Sequence, residues 1–190
     1  TFTLTQFDIT LAGTPDAFAA IGAGTGLSLT LTASATAPGA GVSGTLQLVQ
    51  LTNAAGLSWL AVEATDLNFD LEFGPLTLAV TNGSLVLNQA PTGQSKLDWT
   101  VATGIGADLA PIVFADPELD GTISLQVSGD ATVDLVGLLT VAGTFTLTQF
   151  DITLAGTPDA FAAIGAGTGL SLTLTASATA PGAGVSGTLQ

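Results

Sequence analysis

Apolar and polar residues alternate with a period of two along most of the chain, the pattern of strands that bury one face. Thr1, Thr3 and Thr5 alternate with Phe2 and Leu4, and Phe7, Ile9 and Leu11 then alternate with Gln6, Asp8 and Thr10. The phase slips between Leu4 and Phe7, as a β-bulge or a change of sheet would produce, since one extra residue sends later side chains to the other face. The same period predicts strands over residues 27–35, 44–51, 58–64, 66–73, 76–81, 84–88, 96–102, 122–128, 131–135 and 138–149. Clusters of Gly and Pro predict turns at 37–41, 53–56, 74–75, 90–93, 116–121 and 129–130, and Asn82-Gly83 is the dipeptide most typical of a two-residue hairpin turn. One short helix is predicted at 15–21, with Thr14 as N-cap, Pro15 in the first position, Asp16 at the positive end of the dipole and Gly22 closing it. Phe18 and Ile21, three apart, would pack down on the sheet. A further helical turn is placed near 105–109.

A longer periodicity overlies this one. Residues 144–190 repeat residues 1–47 without a difference, Thr144 standing where Thr1 stood, an offset of 143 positions. Residues 1–143 are therefore read as one full period with an arbitrary start, and 144–190 as the beginning of an identical next repeat. Such a window is expected to be a piece of a longer, exported polypeptide. No polar, Pro-rich linker interrupts the period, and 138–154, which crosses the junction, keeps its apolar alternation. The fold class that follows is all-β, a continuous β-solenoid-like or stacked-sheet repeat array in which each copy covers the open edge of the last. Tandem β-sandwich domains are the alternative.

The composition narrows the chemistry. Of the 190 residues, one is Lys, none is Arg, His or Cys, and 15 are Asp or Glu, a net charge of −14. A single cation excludes a phosphate-neutralising groove, so nucleic acid is not a partner, and anionic membrane surfaces repel the chain. Cys/His metal sites, Cys or Ser–His nucleophilic catalysis and disulfides lack their residues. Mean hydropathy is +0.63, yet every apolar stretch is interrupted before the 18 or so residues a spanning helix needs, so membrane insertion is not expected. The second copy holds Asp151 and Asp159, which leaves 13 carboxylates and one Lys in residues 1–143, or −12 per period.

Two phrases, 79–85 (Ala-Val-Thr-Asn-Gly-Ser-Leu) and 143–147 (Gly-Thr-Phe-Thr-Leu), resemble the tandem repeats of very large bacterial extracellular surface and fibre proteins of the adhesin type. That resemblance implies an extracellular or cell-surface location and no catalytic motif. The glycine- and aspartate-rich nonapeptide of calcium-binding toxin repeats is absent from the window.

Two features could carry chemistry. In 66–73, Asp66, Asn68, Asp70 and Glu72 are expected on one side and Leu67, Phe69, Leu71 and Phe73 on the other. The oxygen row is either a solvated face that discourages edge aggregation or, with ligands from a neighbour, a calcium surface, because calcium takes six to eight oxygens. The loop holding Asp116, Glu118 and Asp120 is either a plain acidic turn or an irregular calcium loop. Lys96 is read as a surface residue paired with Asp98, Trp59 and Trp99 as strand residues in the packing, and the hydroxyl rows of Thr1, Thr3 and Thr5 and of 28–36 as exposed strand faces. No cofactor is required, calcium is the one candidate, and the expected partners are neighbouring copies. The expected function is a structural repeat unit of a long extracellular fibre, stalk or giant surface protein without catalysis. The alternative is an adhesive or ligand-binding module dependent on calcium.

Overall fold

A computed structural model describes residues 1–10, 18–104, 109, 112, 114, 119–152 and 167–190. The chain is all-β. Nine strands, β1 (Phe2–Thr10), β2 (Ala23–Ala37), β3 (Ala40–Asn53), β4 (Ser58–Phe73), β5 (Leu76–Gln89), β6 (Ile123–Leu135), β7 (Leu139–Ile152), β8 (Gly167–Ala180) and β9 (Ala183–Leu189), form one open antiparallel sheet whose spatial order is the chain order. A 3₁₀ helix at Trp99–Gly104 lies in the connection from β5 to β6.

Residues opposite one another in an antiparallel pair share a face, so the register sorts every side chain. From Ile9↔Gly24 through Leu51↔Trp59 to Val86↔Gln126 and Gln126↔Thr148, one set of positions lies on what we term the capped face. The complementary set, through Leu29↔Leu48, Leu48↔Val62, Val62↔Leu87 and Leu87↔Leu125, lies on the open face. The core occupies one end of the capped face. There Ile9, Val49, Leu51, Trp59, Ala61 and Val86 are roofed by Phe18 and Ile21 from the β1–β2 connection and by Leu97, Trp99, Ala102, Leu109, Ile112 and Leu119 from the β5–β6 connection. Phe18 and Ile21 pack on the sheet as their spacing predicts, and the Ile21 amide donates to the Phe18 carbonyl at 2.9 Å.

Several local expectations change. The phase slip between Leu4 and Phe7 is no bulge, because β1 pairs with β2 without a shift from Phe2↔Leu31 to Thr10↔Ala23. Instead the apolar positions change face: Leu4 lies on the open side, whereas Phe7 and Ile9 enter the core. Asn82-Gly83 and Gly129-Asp130 do not turn the chain. Asn82, with φ of 51°, sits in a bulge within β5, and its side-chain Nδ2 donates to Asp130 Oδ2 of β6 at 2.9 Å. Gly129 and Asp130 pair with Phe145 and Thr144 in mid-strand. Continuous partner strands on both sides outweigh the local turn preference. Residues 96–102 do not form a strand, since Leu97 and Trp99 leave the sheet plane to fill the roof of the core. Of the predicted helices, residues 11–17 and 105–108 lie outside the described residues.

The connections differ between the two ends of the sheet. At one end the links between β2 and β3, β4 and β5, β6 and β7, and β8 and β9 are tight turns. Each carries a glycine at positive φ, Gly39 (73°), Gly74 (56°), Gly137 (67°) and Gly182 (80°), where a side chain would be strained. The other end carries the four-residue link 54–57, with Gly56 at φ of 80°, and the long connection 90–122.

Candidate functional site

The junction between the two sequence copies falls inside a strand. β7 takes residues 139–143 from the first copy and 144–152 from the second, so the copies are joined by continuous backbone and by a full ladder to β6. Beyond the junction the register of the first copy recurs. Phe2↔Leu31 and Ile9↔Gly24 become Phe145↔Leu174 and Ile152↔Gly167, and Leu31↔Leu46 becomes Leu174↔Leu189.

One polar cluster straddles this seam. The Lys96 ammonium donates to Asp151 Oδ2 at 2.6 Å and to Ser124 Oγ at 2.7 Å, and Ser124 Oγ donates to Asp151 Oδ1 at 3.3 Å. The Lys96 side chain is 10% exposed and that of Asp151 55%. The Lys96 hydrogen bond holds the Asp151 carboxyl below its ordinary range. Lys96 thus does not pair with Asp98, whose Oδ1 instead accepts from the Thr100 amide at 3.0 Å and starts the 3₁₀ helix. The signal in the sequence was the repetition of Asp8 as Asp151, which places a carboxylate at each seam.

Lys96 is positioned by the core beneath it. The Trp59 indole donates to the Ser95 carbonyl at 3.0 Å, Trp99 Nε1 to Asn88 Oδ1 at 3.0 Å, and Asn88 Nδ2 to the Leu97 carbonyl at 2.9 Å. Phe18 and Phe114 meet Trp99 edge-on, each with ring centroids 5.9 Å away. Residues 95–99 are therefore fixed on both sides of Lys96.

The predicted oxygen row keeps Asn68, Asp70 and Glu72 on the capped face and has a bulge at Asp66. Asp66 has φ of 52°, and the pairing of β3 with β4 passes from Thr45↔Thr65 to Ser43↔Asn68, leaving Asp66 and Leu67 opposite Gly44. Across that bulge Asp66 still lines one shallow pocket with Asn68, Ser43 and Thr45, and the Asp66 carbonyl accepts from Asn68 Nδ2 at 2.7 Å. Asp70 lies opposite Gly41 and Ala79, and Glu72 opposite Thr77. Among the described residues no three acidic side chains gather on one centre. Asp116 and Glu118 lie outside the described residues. Asp120 closes a local turn, accepting from the Thr122 amide at 2.9 Å and its hydroxyl at 2.7 Å, and the hydroxyl above all lowers its pKa.

Away from the core, the capped face is a belt of paired hydroxyls, amides and carboxylates. Ser84 meets Ser128 at 2.8 Å, Thr32 meets Thr45 at 3.2 Å, and Thr148 donates to Gln126 at 2.9 Å. Across β6 to β9 the belt forms a shallow trough of about 460 Å³ lined by Asp130, Thr132, Thr144, Thr175, Ser177 and Thr188 among others. Compared with family models, with curated proteins and with solved structures, the chain matches none.

Proposed function

We propose that this chain is a structural repeat unit of a giant surface protein, and that its work is to extend one antiparallel sheet by six strands per 143 residues, without catalysis. The carrying observation is the seam: β6 of one copy is hydrogen-bonded along its length to β7, which opens the next copy with the register of β1. The Lys96–Asp151 ion pair adds a side-chain lock that recurs wherever one copy follows another. Neighbouring copies are the partners of this unit, and a repeat that lengthens a sheet without adding a reactive site gains by copy number alone. An extracellular or cell-surface location fits the absence of Cys and the −12 charge of each period.

Amide exchange on chains of one, two and three copies, in a solvent that keeps them monodisperse, tests this reading. Protection of residues 139–152 and of their equivalents at each new seam is expected to match that of the strands inside a copy. Exchange at the seams as fast as in an open edge strand, with a melting temperature independent of copy number, would make the copies autonomous beads and overturn it.

A further inference from the structure

We propose that the open face of this sheet is lipid-facing, and that copies of the repeat form the wall of a transmembrane β-barrel whose interior is the hydroxyl- and carboxylate-lined capped face. The proposal rests on the sheet-extending reading above and adds the occupant of a surface that nothing among the described residues covers.

Four observations carry it. The first is chemical: along residues 27–37 of β2, 40–48 of β3, 125–135 of β6, 139–147 of β7 and 170–180 of β8, every open-face side chain is Leu, Val, Phe, Ala or Gly. Phe73 and Leu172 are 62% and 47% exposed on it. A sheet in water would alternate apolar inside with polar outside; here the polar set lies on the other side. The second is length. Eleven residues at about 3.3 Å each, tilted by about 45°, rise roughly 25 Å, the height of the apolar band of a membrane barrel. β2 to β8 run 13 to 16 residues, more than twice the usual strand of about 5–6 in a water-soluble sheet.

The third is the boundary of the band. At the end of the sheet with long connections the open face turns polar, with Gln6 and Asp8, Gln50 and Thr52, and Gln149 and Asp151, while the capped face turns apolar and closes the core. The single Lys lies at that polar rim and none lies in the band. One end has tight turns alone, while the other carries the long connection 90–122 as well as the four-residue link 54–57, a partial form of the asymmetry of membrane barrels. The fourth is topology. Hydrocarbon tolerates no open sheet edge, and β1 and β9 are edges here. Each copy supplies six strands, β1 to β6, so whole copies give an even number, and the β6–β7 pairing is the contact with which the last strand of a ring would meet the first. The absence of a spanning helix among the described residues does not bear on strands, whose membrane signal is this same two-residue alternation.

The chain has no Cys, so single-cysteine variants report each face. Val133→Cys and Leu172→Cys label the open face, and their strand neighbours Thr132→Cys and Thr173→Cys the capped face. With an environment-sensitive fluorophore attached, the chain extended to two whole copies, whose twelve strands can close, is added from detergent to phosphatidylcholine vesicles carrying a nitroxide on the acyl chain. The expected result is co-flotation with the vesicles, with quenching at 133 and 172 and none at 132 and 173. Failure to float, or equal quenching at neighbouring positions, overturns the proposal. A soluble dimer in which 133 and 172 are shielded without lipid also overturns it, by making a second copy the occupant. Seam exchange, measured on the same samples, reports the sheet-extending reading separately, so the two can fail independently.

Discussion

Lys96 Nζ and Asp151 Oδ2 lie 2.6 Å apart, which joins the chain's one basic side chain to a carboxylate of the next sequence copy. Residues 95–99 are held from below by Trp59, Trp99 and Asn88, so the ammonium is presented to the seam by the core of its own copy. Packing within one repeat is thereby coupled to pairing between repeats.

Asp151→Asn or Lys96→Met is expected to destabilise the seam by about 1 kcal/mol or less, because the carboxylate is largely exposed and water screens the pair. The effect has a pH signature. The folded pKa of Asp151 lies below its ordinary value, so its contribution is complete above the unfolded value of about 3.9 and is lost as pH falls through the folded value. Denaturation midpoints of the parent and of Asp151→Asn should differ at neutral pH and converge in acid. Asp8→Asn, at the equivalent position of the first copy, should change little, since among the described residues no lysine reaches it.

Trp99→Phe is expected to cost about 1–3 kcal/mol, because it leaves the buried Asn88 Oδ1 without its donor. Trp99→Ala should cost about 3–5 kcal/mol by opening a cavity between Phe18 and Phe114. Urea titration measures both. In either variant, loss of the Lys96–Asp151 coupling in a double-mutant cycle would show that the core positions the lysine.

The all-β class was legible because period-two alternation runs through most of the chain, although 59–62 of β4 and 85–87 of β5 are unbroken apolar runs and residues 96–102, read as a strand, form none. What the alternation could not give was the face. Leu4 and Phe7 are both apolar and three apart, and only the unshifted pairing of β1 with β2 shows that one lies on the open side and the other in the core. The Asn82-Gly83 turn failed for a related reason: a local dipeptide preference yields to ladders on both sides of β5. The alternation in 68–73 holds, Asn68, Asp70 and Glu72 lying on the capped face and Phe69, Leu71 and Phe73 on the open one, and what the pattern did not show was the bulge at Asp66. The repetition of Asp8 as Asp151 marks the carboxylate, but its pairing with Lys96 was not legible, because the two stand 55 positions apart, a distance no local pattern spans.

Gly26 has Phe7 lying across it, and a Cβ built there would stand 2.2 Å from the ring. Gly26→Val is expected to cost about 1–3 kcal/mol by overpacking, and Phe7→Ala in the same chain should recover part of that loss. Phe150 over Gly169 repeats the contact at 2.5 Å, but this ring is 36% exposed. Gly169→Val should therefore be the milder substitution, and thermal melts of the two single variants rank them.

Leu31→Lys and Thr30→Lys place the same charge on adjacent residues of β2, one on each face. If the open face meets lipid, the first should lose about 2–4 kcal/mol of folding free energy in vesicles, the cost of a cation near the bilayer midplane. The second should lose little, since its side is polar. Equal losses in vesicles would contradict a lipid-facing surface.

Ring closure makes the strictest demand on the geometry. In the seam Ser128 lies opposite Thr146, the second copy of Thr3, so in a closed ring of whole copies Ser128 of the last copy must stand opposite Thr3 of the first. A chain of two whole copies would have twelve strands, within the range of known membrane barrels, about 8 to 26. Thr3→Cys in its first copy and Ser128→Cys in its second are far apart in any open sheet, where the two residues lie toward opposite edges. They are adjacent only if the edges meet. Oxidation in vesicles is expected to form this cross-link within one chain, at a rate comparable to a control pair at Thr3 and Thr30, which face each other across β1 and β2. If the control pair closes and the edge pair stays reduced at every lipid ratio, the two-copy sheet is open and six strands per repeat do not close a wall at that size.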